Sequence, residues 1–526
     1  MSCKRTGGGF GGKITGAVTV ATATALSVYK LKRPVRIFSS RTADMAMRGG
    51  REAWIGDYEV GFTPDGRIVA LKYMFYVDGG AGQEDTIGGV FMGMYWADGG
   101  YYLPNYSANA LIAYTNTPPR TSMRAPGVLH TCLFIEMVVE RVAKECGLPP
   151  RVVQERNMIK SGDIAICGQT ITNPNLRSIW DKLLFRSDFQ NRLNHVDEYN
   201  RGSLWRKRGI YIVPVKYGIG WAGYQAGVKI GVRLTDGCVI VNHSGVEIGQ
   251  GINTKVAQAI AGALGIPLSL VRIEKTGTDI VVNGGVTGGS GTSEVTVQAA
   301  LNACKKLNKR IAPYRTNPNR TQMTPDEWVT VIQSVPGDIS LNVEGWFNPS
   351  NNPNEQFFQY FVYAACVSEV ELNVLSGECH VLTCQLLYDC GESLNPSVDI
   401  GQIEGALVLG LGFFFQEKVQ YATGTGMLQT EGTWEYKPPL CQDIPSVLNI
   451  TFIADAYNKD GVAGSKAVGE PPLMASNSAF FAMKMAVESA RRDAGQTSYF
   501  PLAAPATVDD RQAACLVRPE RYVLPF

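Results

Sequence analysis

The sequence lacks closely spaced cysteine pairs. Its 526 residues include twelve cysteines but no C-x-x-C, and they include only four histidines. This spacing argues against a zinc ribbon, a thioredoxin motif and an iron–sulfur cluster held by neighbouring thiolates. The one crowded trio, Cys379, Cys384 and Cys390, falls in an alternating stretch that is typical of a strand. We therefore expect buried, reduced thiols rather than metal ligands.

The chain also lacks an excess of either charge and a long apolar run. Its formal net charge is +2, with 18% charged and 45% hydrophobic residues, which is typical of a globular protein and does not favour binding to nucleic acid or to a membrane. The longest uncharged apolar runs, residues 405–415 and 14–29, are shorter than the ~20 residues that span a bilayer. The start, MSCKRTGGG, has no secretory signal pattern, so a cytoplasmic location is expected.

Three segments have the pattern of β-hairpins, in which a turn pair lies between alternating β-rich runs. Their turns are predicted at residues 64–66, 236–237 and 376–377. The stretch from Leu129 to Cys146 has the apolar spacing of an amphipathic helix, and another helix is predicted from Pro472 to Asp493. Hairpins alternating with helices, without a steady repeat of buried strands, predict an α+β fold of two mixed α/β lobes.

One polar stretch divides a chain that is long enough for roughly three domains. From about Lys160 to Lys207 the sequence is polar and aperiodic, which is typical of a partly helical connection between two lobes. A second loose patch, residues 316–356, is predicted as an insertion in the second lobe. The predicted organisation is a first domain over residues 1–162, a connection over 163–207 and a second domain over 208–526.

A glycine-rich loop, GGGFGGKIT, occupies residues 7–15 and approaches two nucleotide motifs. The dinucleotide motif needs a preceding strand and an acid about 20 residues later, but the first acid after the loop is Asp44. The phosphate loop needs Ser or Thr after the lysine, and position 14 is isoleucine. The glycines still let backbone N–H groups crowd around an anionic ligand, and the loop leads into a helical segment predicted from about Thr15. A nucleotide-binding protein stays open as an alternative.

Three further glycine-rich stretches lie in polar settings. They are GVEIGQG at 245–251, GGVTGGSGTSE at 284–294 and DIGQIEGALVLGLG at 399–412. The last two place Ser290, Thr292 and Gln402 at the entrance of helix-like segments. Four such loops indicate a large polar ligand that is held from several sides by backbone amides.

Six separated motifs together resemble the molybdenum-cofactor-binding region of the xanthine dehydrogenase and aldehyde oxidase family. They are GGGFGGK, SMRAPG at 122–127, GVEIGQG, VTGGSGTSE, DIGQIEGA and SKAVGEPP at 465–472. The resemblance implies a molybdopterin site enclosed between the two lobes. Complete members also carry two [2Fe–2S] domains and a FAD domain ahead of this region, together with a glutamine near its start. None of these is found here, so we expect an amino-terminally truncated chain.

The resemblance also assigns roles to residues. It implies that Phe10, Arg124 and Gly289 surround the molybdenum without a direct side-chain ligand, since the pterin sulfurs hold the metal. Glu470 matches the family's catalytic base, which takes a proton from the attacking oxygen. The implied cofactor-binding residues are Gly9, Phe10, Gly11, Arg124, Gln250, Gly289, Ser290, Thr292, Gln402 and Gly469.

The substrate positions depart from those of the purine-oxidising members. Those members hold the purine with a glutamate and an arginine, and the matching residues here are Ile14 and Met92. Other pocket positions match Pro126, Trp221 and Ala222. A pocket of this kind would leave purine polar groups unpaired, so we predict that the substrate is an aldehyde or an aromatic N-heterocycle.

The resemblance further implies partners that complete the reaction. Electrons are expected to leave through iron–sulfur and FAD centres that this chain does not contain, and a homodimer is expected. The alternative is an inactive or partner-dependent fragment that keeps the fold.

Overall fold

The computed structural model describes residues 2–221, 223–315, 322–349, 356–454 and 456–517. Within these ranges the strands are β1 Ser2–Cys3, β2 Trp54–Phe62, β3 Ile68–Gly80, β4 Tyr106–Tyr114, β5 Arg206–Ile219, β6 Ala226–Val232, β7 Val239–His243, β8 Val271–Ile273, β9 Thr276–Gly277, β10 Asn342–Phe347, β11 Tyr360–Asn373, β12 Cys379–Tyr388 and β13 Val447–Phe452. The α-helices are α1 Val18–Leu31, α2 Arg41–Met47, α3 Thr86–Tyr95, α4 Val128–Cys146, α5 Pro150–Asn157, α6 Leu176–Arg186, α7 Phe189–Gly202, α8 Ile252–Leu264, α9 Thr292–Ile311, α10 Pro325–Gln333, α11 Pro396–Phe415, α12 Asn477–Asp493 and α13 Val508–Ala514.

The predicted α+β architecture is confirmed. The three hairpins are the antiparallel pairs β2–β3, β6–β7 and β11–β12, each with its turn where the sequence predicted it. They belong to a three-stranded sheet of order β2-β3-β4 and two four-stranded sheets of order β10-β6-β7-β8 and β13-β12-β11-β5. Each of these three sheets ends in a parallel edge strand: β4 beside β3, β8 beside β7 and β13 beside β12.

Helix α4 lies between two hydrophobic cores. Its carboxyl-terminal half buries the predicted stripe, including Ile135, Val138 and Val142, in the core beneath the β2-β3-β4 sheet. Its first turns bury Val128 and Leu129 in the larger core, which extends through the rest of the chain. The helix ends at Gly147, whose left-handed φ of 66° suits glycine, and GLPP follows as predicted. One amphipathic helix therefore joins the two lobes through apolar packing.

The predicted connection consists largely of α6 and α7. Ile179 and Trp180 of α6, with Phe189 and Val196 of α7, are buried in the larger core. The two helices pack against β5, β11 and β12. The residues between the lobes thus contribute packing to the second lobe, although the boundaries at 163 and 207 stay predictions.

The structure differs from the sequence predictions in several local details. Helix α1 begins at Val18 rather than near Thr15, and the predicted 472–493 helix begins as a 3-10 turn over Pro471–Ser476 that leads into α12. The patch expected to be a loose insertion contains α10 and β10, the latter paired with β6. Its segments 316–321 and 350–355 lie outside the described residues. Helix α10 is fixed at its start by a reciprocal capping box of Thr324 and Glu327, a signature visible in the sequence.

One helix of the described ranges, α11, is long and apolar enough to cross a membrane by length and composition, and half of that window is buried inside the protein. Its first turn carries Asp399, which forms a buried ion pair with Lys255 at 2.7 Å. Leu407 and Phe414 of the same helix lie in the larger core. These contacts are those of a helix packed inside the fold.

All twelve cysteines are unpaired thiols. Cys379 and Cys384 lie on β12, as the alternation predicted, and Cys390 follows the strand. The Cys384 thiol lies 3.0 Å from the Ser368 hydroxyl on the neighbouring strand. This trio packs in the sheet and does not form a metal site.

Candidate cofactor-binding and active site

A single cavity of about 770 Å³ lies where the glycine-rich loops of both lobes converge. Its lining combines backbone amides with few charged side chains. The segments that line it are residues 8–11, 122–124, 248–250, 286–290, 399–402 and 465–470. Motifs that are more than 400 residues apart in the chain therefore form one site, as the six-motif resemblance predicted.

The first loop is fixed by the SMRAPG turn. The backbone N–H of Arg124 donates to the Phe10 carbonyl at 2.6 Å. Gly11 has a φ of 101°, and a Cβ there would lie 2.5 Å from the Ser122 carbonyl oxygen, so only glycine fits. Phe10 and Ala125 hold φ values of 53° and 56°, which are strained for residues with a Cβ. Strained backbone is concentrated where the two loops approach each other.

Arg124 links the two walls of the cavity. Its Nε donates to the Gly469 carbonyl at 2.6 Å and its Nη2 donates to the Gln402 carbonyl at 3.0 Å. Burial lowers the pKa of Arg124 to about 10, while the Glu470 carboxylate opposes that shift. The guanidinium therefore stays positive at neutral pH and adds a fixed positive charge to the site.

A second arginine, the half-buried Arg51, supports this turn. Arg51 donates to the carbonyls of Met123 and Arg124, each at 3.0 Å. Burial lowers its pKa, and carboxylates including Glu52 and Glu470 oppose that shift. Arg51 follows two glycines in no recognised motif, so the sequence did not point to it.

Polar side chains in the loops of the second lobe form hydrogen bonds with backbone groups within and between those loops. Gln402 donates to the Gly249 carbonyl at 3.1 Å, which joins the start of α11 to the GVEIGQG loop. The Gln250 amide donates to the Val246 carbonyl at 2.9 Å and accepts the Ile248 N–H at 2.8 Å. The Thr292 hydroxyl accepts the Gly288 N–H at 3.1 Å. All three side chains shape the loops, and their predicted contacts with the cofactor stay predictions.

Glu470 is a cavity carboxylate that is oriented by two hydrogen-bond donors. It is 8% exposed and directly precedes the 3-10 turn that begins at Pro471. Its Oε1 accepts the Ala125 N–H at 3.0 Å, and its Oε2 accepts the Ser290 hydroxyl at 2.9 Å. The predicted base thus lies at the junction of the SMRAPG turn, the VTGGSG loop and its own segment.

A second cavity carboxylate, Glu294, was not singled out from the sequence. It accepts from the Tyr360 hydroxyl at 2.7 Å, the Trp221 indole N–H at 3.3 Å and the Ser465 hydroxyl at 3.3 Å. Burial raises the pKa of Glu294 to about 7, and these donors oppose that shift. Because Ser465 begins the segment that ends at Glu470, Glu294 fixes that segment at its other end. Glu294 is the last residue of the VTGGSGTSE motif. Its place in that motif is the sequence signal that could have identified it.

Lys255 and Asp399 form another feature that sequence reasoning missed. Both line the cavity, their ion pair is buried, and Asp399 also accepts the Ser393 hydroxyl at 2.6 Å. The pair joins α8 to α11. Asp399 opens the DIGQIEGA motif, but nothing in the sequence shows that its partner lies 144 residues earlier.

Some, but not all, of the predicted substrate-pocket residues line the cavity. Ile14, Met92 and Pro126 line the cavity, and the Ile14 side chain packs against Gly288. Trp221 is not among the residues that line this cavity, and its predicted place in the substrate pocket stays a prediction. Its indole packs beside Phe347 and Tyr360 with the N–H bonded to Glu294, because a large ring with one polar group is stable when buried only if that group is paired. Ala222 lies outside the described residues.

Tyr224, which was not singled out from the sequence, lines the cavity. Its hydroxyl packs on Gly289, where a Cβ would come within 1.8 Å of the phenol oxygen. Gly289 has a φ of 54° and the next residue, Ser290, one of 59°. This part of the loop is therefore held in a left-handed conformation by contacts around the cavity.

The residues present fit a pterin cofactor with bound molybdenum. Among the described residues, no group of three His, Cys, Asp or Glu side chains could hold a metal ion, so protein ligation is not offered there. The cavity instead presents a cradle in which side chains at Gly11 and Gly289 would collide with neighbouring atoms, and close to it lies the charge of Arg124. Closely approaching backbone and a buried cation are suited to an anionic ligand with oxygen atoms.

Comparison with known proteins gives the class. Two family models, both described as a molybdopterin cofactor-binding domain, match residues 1–158 and 182–445. The chain therefore belongs to the family of molybdopterin cofactor-binding domains.

Individual relatives are xanthine dehydrogenases. The chain is 38% identical over 522 residues to the xanthine dehydrogenase of Drosophila pseudoobscura pseudoobscura, covering 97% of this chain and 38% of the relative. It is 37% identical over 530 residues to the xanthine dehydrogenase/oxidase of Mus musculus, covering 98% and 39%. The chain thus spans about two fifths of the length of these relatives.

A solved structure shares the fold. The aldehyde oxidoreductase from Desulfovibrio gigas matches with a TM-score of 0.82 at 23% identity, covering 97% of this chain and 54% of that one. This match shows that the chain and the aldehyde oxidoreductase share a fold.

Proposed function

We propose that this chain is the catalytic region of a molybdenum hydroxylase that oxidises aldehydes or aromatic N-heterocycles. The observation that carries the proposal is the position of Glu470, which lines a cavity built from the cofactor-binding loops and is oriented there by two donors. The reaction replaces a C–H bond of the substrate with a C–O bond to oxygen from water and releases two electrons and two protons. When bound, the molybdenum cofactor supplies the centre that accepts the electron pair.

Residues of this chain supply the base, orient it and stabilise charge in the site. Glu470 is the base that removes a proton from the attacking oxygen, and a positioned base contributes about 10²–10⁴-fold to rate. Ala125 and Ser290 fix the direction of the carboxylate. The positive charge of Arg124 favours the negative charge that develops on oxygen in the site. Backbone amides around Phe10 and Gly11, which line the cavity, would hold the cofactor.

The apolar residues Ile14, Met92 and Pro126 support an aldehyde or heterocycle as substrate. A purine would bring several polar groups against these hydrocarbon side chains, at about 1–3 kcal/mol for each group left unpaired. The Tyr224 hydroxyl, which also lines the cavity, can donate one hydrogen bond to a substrate carbonyl or ring nitrogen. Such a donor beside apolar side chains suits a ligand with few heteroatoms.

The reaction needs partners for its electrons. We infer that iron–sulfur and FAD domains or subunits accept them, since the described residues offer no thiolate cluster of their own. We also propose a cytoplasmic homodimer that binds neither nucleic acid nor membrane. The competing proposal is a partner-dependent or inactive fragment, which predicts cofactor binding without turnover.

The proposed function is tested by measuring the metal content and the turnover of the protein. The complete protein is purified, its molybdenum content is measured, and kcat/KM is compared for benzaldehyde and xanthine. We expect bound molybdenum, faster oxidation of benzaldehyde, and loss of turnover with retained metal in Glu470→Gln. Equal rates on xanthine would contradict the substrate class. Tight binding of ATP or NAD without molybdenum would instead support the nucleotide-loop alternative.

A further inference from the structure

A buried phenol, Tyr217, lies behind the Glu470 carboxylate without a satisfied hydroxyl. Tyr217 is on β5 opposite Val362 of β11 and is 1% exposed. Its hydroxyl approaches Glu470 but makes no hydrogen bond of normal geometry. A buried hydroxyl without a partner costs free energy, so such a group in a folded protein calls for an acceptor within reach.

Two neighbours of Tyr217, Trp96 and Lys216, do not offer an acceptor for its hydroxyl. Trp96, whose ring centroid is 5.9 Å away, uses its indole N–H on the Gly218 carbonyl at 3.1 Å and has no lone pair to give. The neighbouring Lys216 ammonium is paired with Asp98 at 2.9 Å. Burial, followed by the nearby Glu470 charge, raises the pKa of Tyr217 well above its ordinary value. The phenol thus stays protonated and can act as a donor.

The Glu470 carboxylate has room for this donor. Each of its oxygens accepts one hydrogen bond, from Ala125 and Ser290, whereas a carboxylate offers about four acceptor sites. The charged groups that face it from other elements are Arg51 and Arg124, and Tyr224 faces it from the loop after β5. Tyr217 approaches from the β5 side, which none of these occupies.

We propose that Tyr217 is a positioning residue that donates a third hydrogen bond to Glu470 and fixes the direction of its carboxylate. This inference rests on the proposed function of Glu470 as the base. The phenol acts through Glu470 and does not touch the substrate. Removing its single oxygen atom should therefore slow the chemical step, with little change in substrate binding.

The first test is thermal unfolding of Tyr217→Phe, which needs neither cofactor nor activity. If the hydroxyl is bonded to Glu470, its removal lowers the Tm. The same substitution in a Glu470→Ala background, where the acceptor is gone, should no longer lower it. An unchanged or raised Tm for Tyr217→Phe alone would overturn the proposal, because deleting a buried hydroxyl without a partner removes a destabilising group.

The second test separates kcat from KM in the complete, cofactor-loaded enzyme. Tyr217→Phe should lower kcat by about 10-fold with KM retained, because the hydroxyl acts on the base and does not touch the substrate. The matched control is Tyr211→Phe, since Tyr211 lies on the same strand, is buried and donates to a different carboxylate, Glu136, at 3.4 Å. It should leave kcat unchanged. An unchanged kcat in Tyr217→Phe would overturn the positioning role, whereas absence of molybdenum and turnover in the wild type would refute the proposed function and leave the Tm test decisive for the bond.

Discussion

The Ser290 hydroxyl forms two hydrogen bonds with one residue, Glu470. It accepts the backbone N–H of Glu470 at 2.9 Å and donates to its Oε2 at 2.9 Å. The carboxylate is therefore held in a fixed direction relative to its own backbone by a side chain 180 residues away. Ser290 itself has a φ of 59°, so the loop adopts a strained conformation that places this hydroxyl.

Ser290→Ala should lower kcat/KM for the aldehyde by about 10- to 100-fold. The reason is that a hydrogen bond to a charged group contributes about 1.5–3 kcal/mol. Ser290→Gly is the matched control, because it also removes the hydroxyl but relieves the positive φ. Both variants should lose a similar factor in steady-state kinetics, and the alanine variant should have the lower Tm. A glycine variant with wild-type kcat/KM would show that the hydroxyl is dispensable.

Gly11→Ala should reduce both molybdenum content and stability. An alanine there must hold a φ of 101° and place its Cβ 2.5 Å from the Ser122 carbonyl oxygen, so the first loop has to move. The backbone strain alone costs about 1–3 kcal/mol. The comparison variant is Gly7→Ala in the same loop, where a Cβ meets nothing within 4 Å. Metal analysis and thermal unfolding of the two variants check this, and equal behaviour would refute the cradle at Gly11.

Glu52→Gln should raise the Tm at pH 8 and change it little at pH 5. Both Glu52 carboxylate oxygens are buried without a hydrogen-bond partner, and burial raises the pKa of Glu52 to about 7. Because the pKa in the folded state exceeds that in the unfolded state, the stabilisation that this group gives at low pH is lost as pH rises from about 4.5 to 7. The size of that loss is about 3 kcal/mol.

Thermal unfolding at the two pH values measures the effect of Glu52→Gln. The matched control is Glu59→Gln on β2, since the Glu59 side chain is 80% exposed. That control should show no difference between pH 5 and pH 8. If Glu52→Gln instead lowered the Tm at pH 8, the buried carboxylate would have to be stabilised by its charged neighbours.

The double variant Ile14→Glu, Met92→Arg should shift selectivity toward xanthine. It supplies the two polar side chains that the purine-oxidising members carry at these positions, and each pairing of a buried polar group is worth about 1–3 kcal/mol. The ratio of kcat/KM for xanthine to that for benzaldehyde should therefore rise by about 10-fold or more. Ile14→Val with Met92→Leu keeps the hydrocarbon surface and should leave the ratio unchanged. An unaltered ratio in the charged variant would place substrate selection elsewhere in the cavity.

The hairpins and α4 could be predicted from the sequence because the residues that determine them are close neighbours in the chain. Turn pairs such as Asp236 and Gly237 fix a hairpin within a few residues, and the stripe on α4 repeats at helical spacing. The loops of the site were predicted for a similar reason, since glycines at a close approach leave a sequence pattern. A distant partner leaves no such local pattern. The indole of Trp221 bonds to Glu294, 73 residues away, and no spacing in the sequence indicates that contact.

The same reasoning explains why supporting residues were missed. Arg51, Lys255 and Tyr217 stand in no motif, and each is recognisable only by what it faces: two carbonyls of the SMRAPG turn, the Asp399 carboxylate and Glu470. Residues that touch a ligand recur in short patterns. Residues that orient those groups depend on tertiary packing.

The packing of α4 into both cores limits how a ligand can enter. The helix begins directly after the SMRAPG turn and then packs into both cores. Separating the lobes would expose the apolar stripe of α4 to water, which costs free energy. We therefore expect a pterin-sized ligand to enter by local opening of the glycine loops rather than by domain motion.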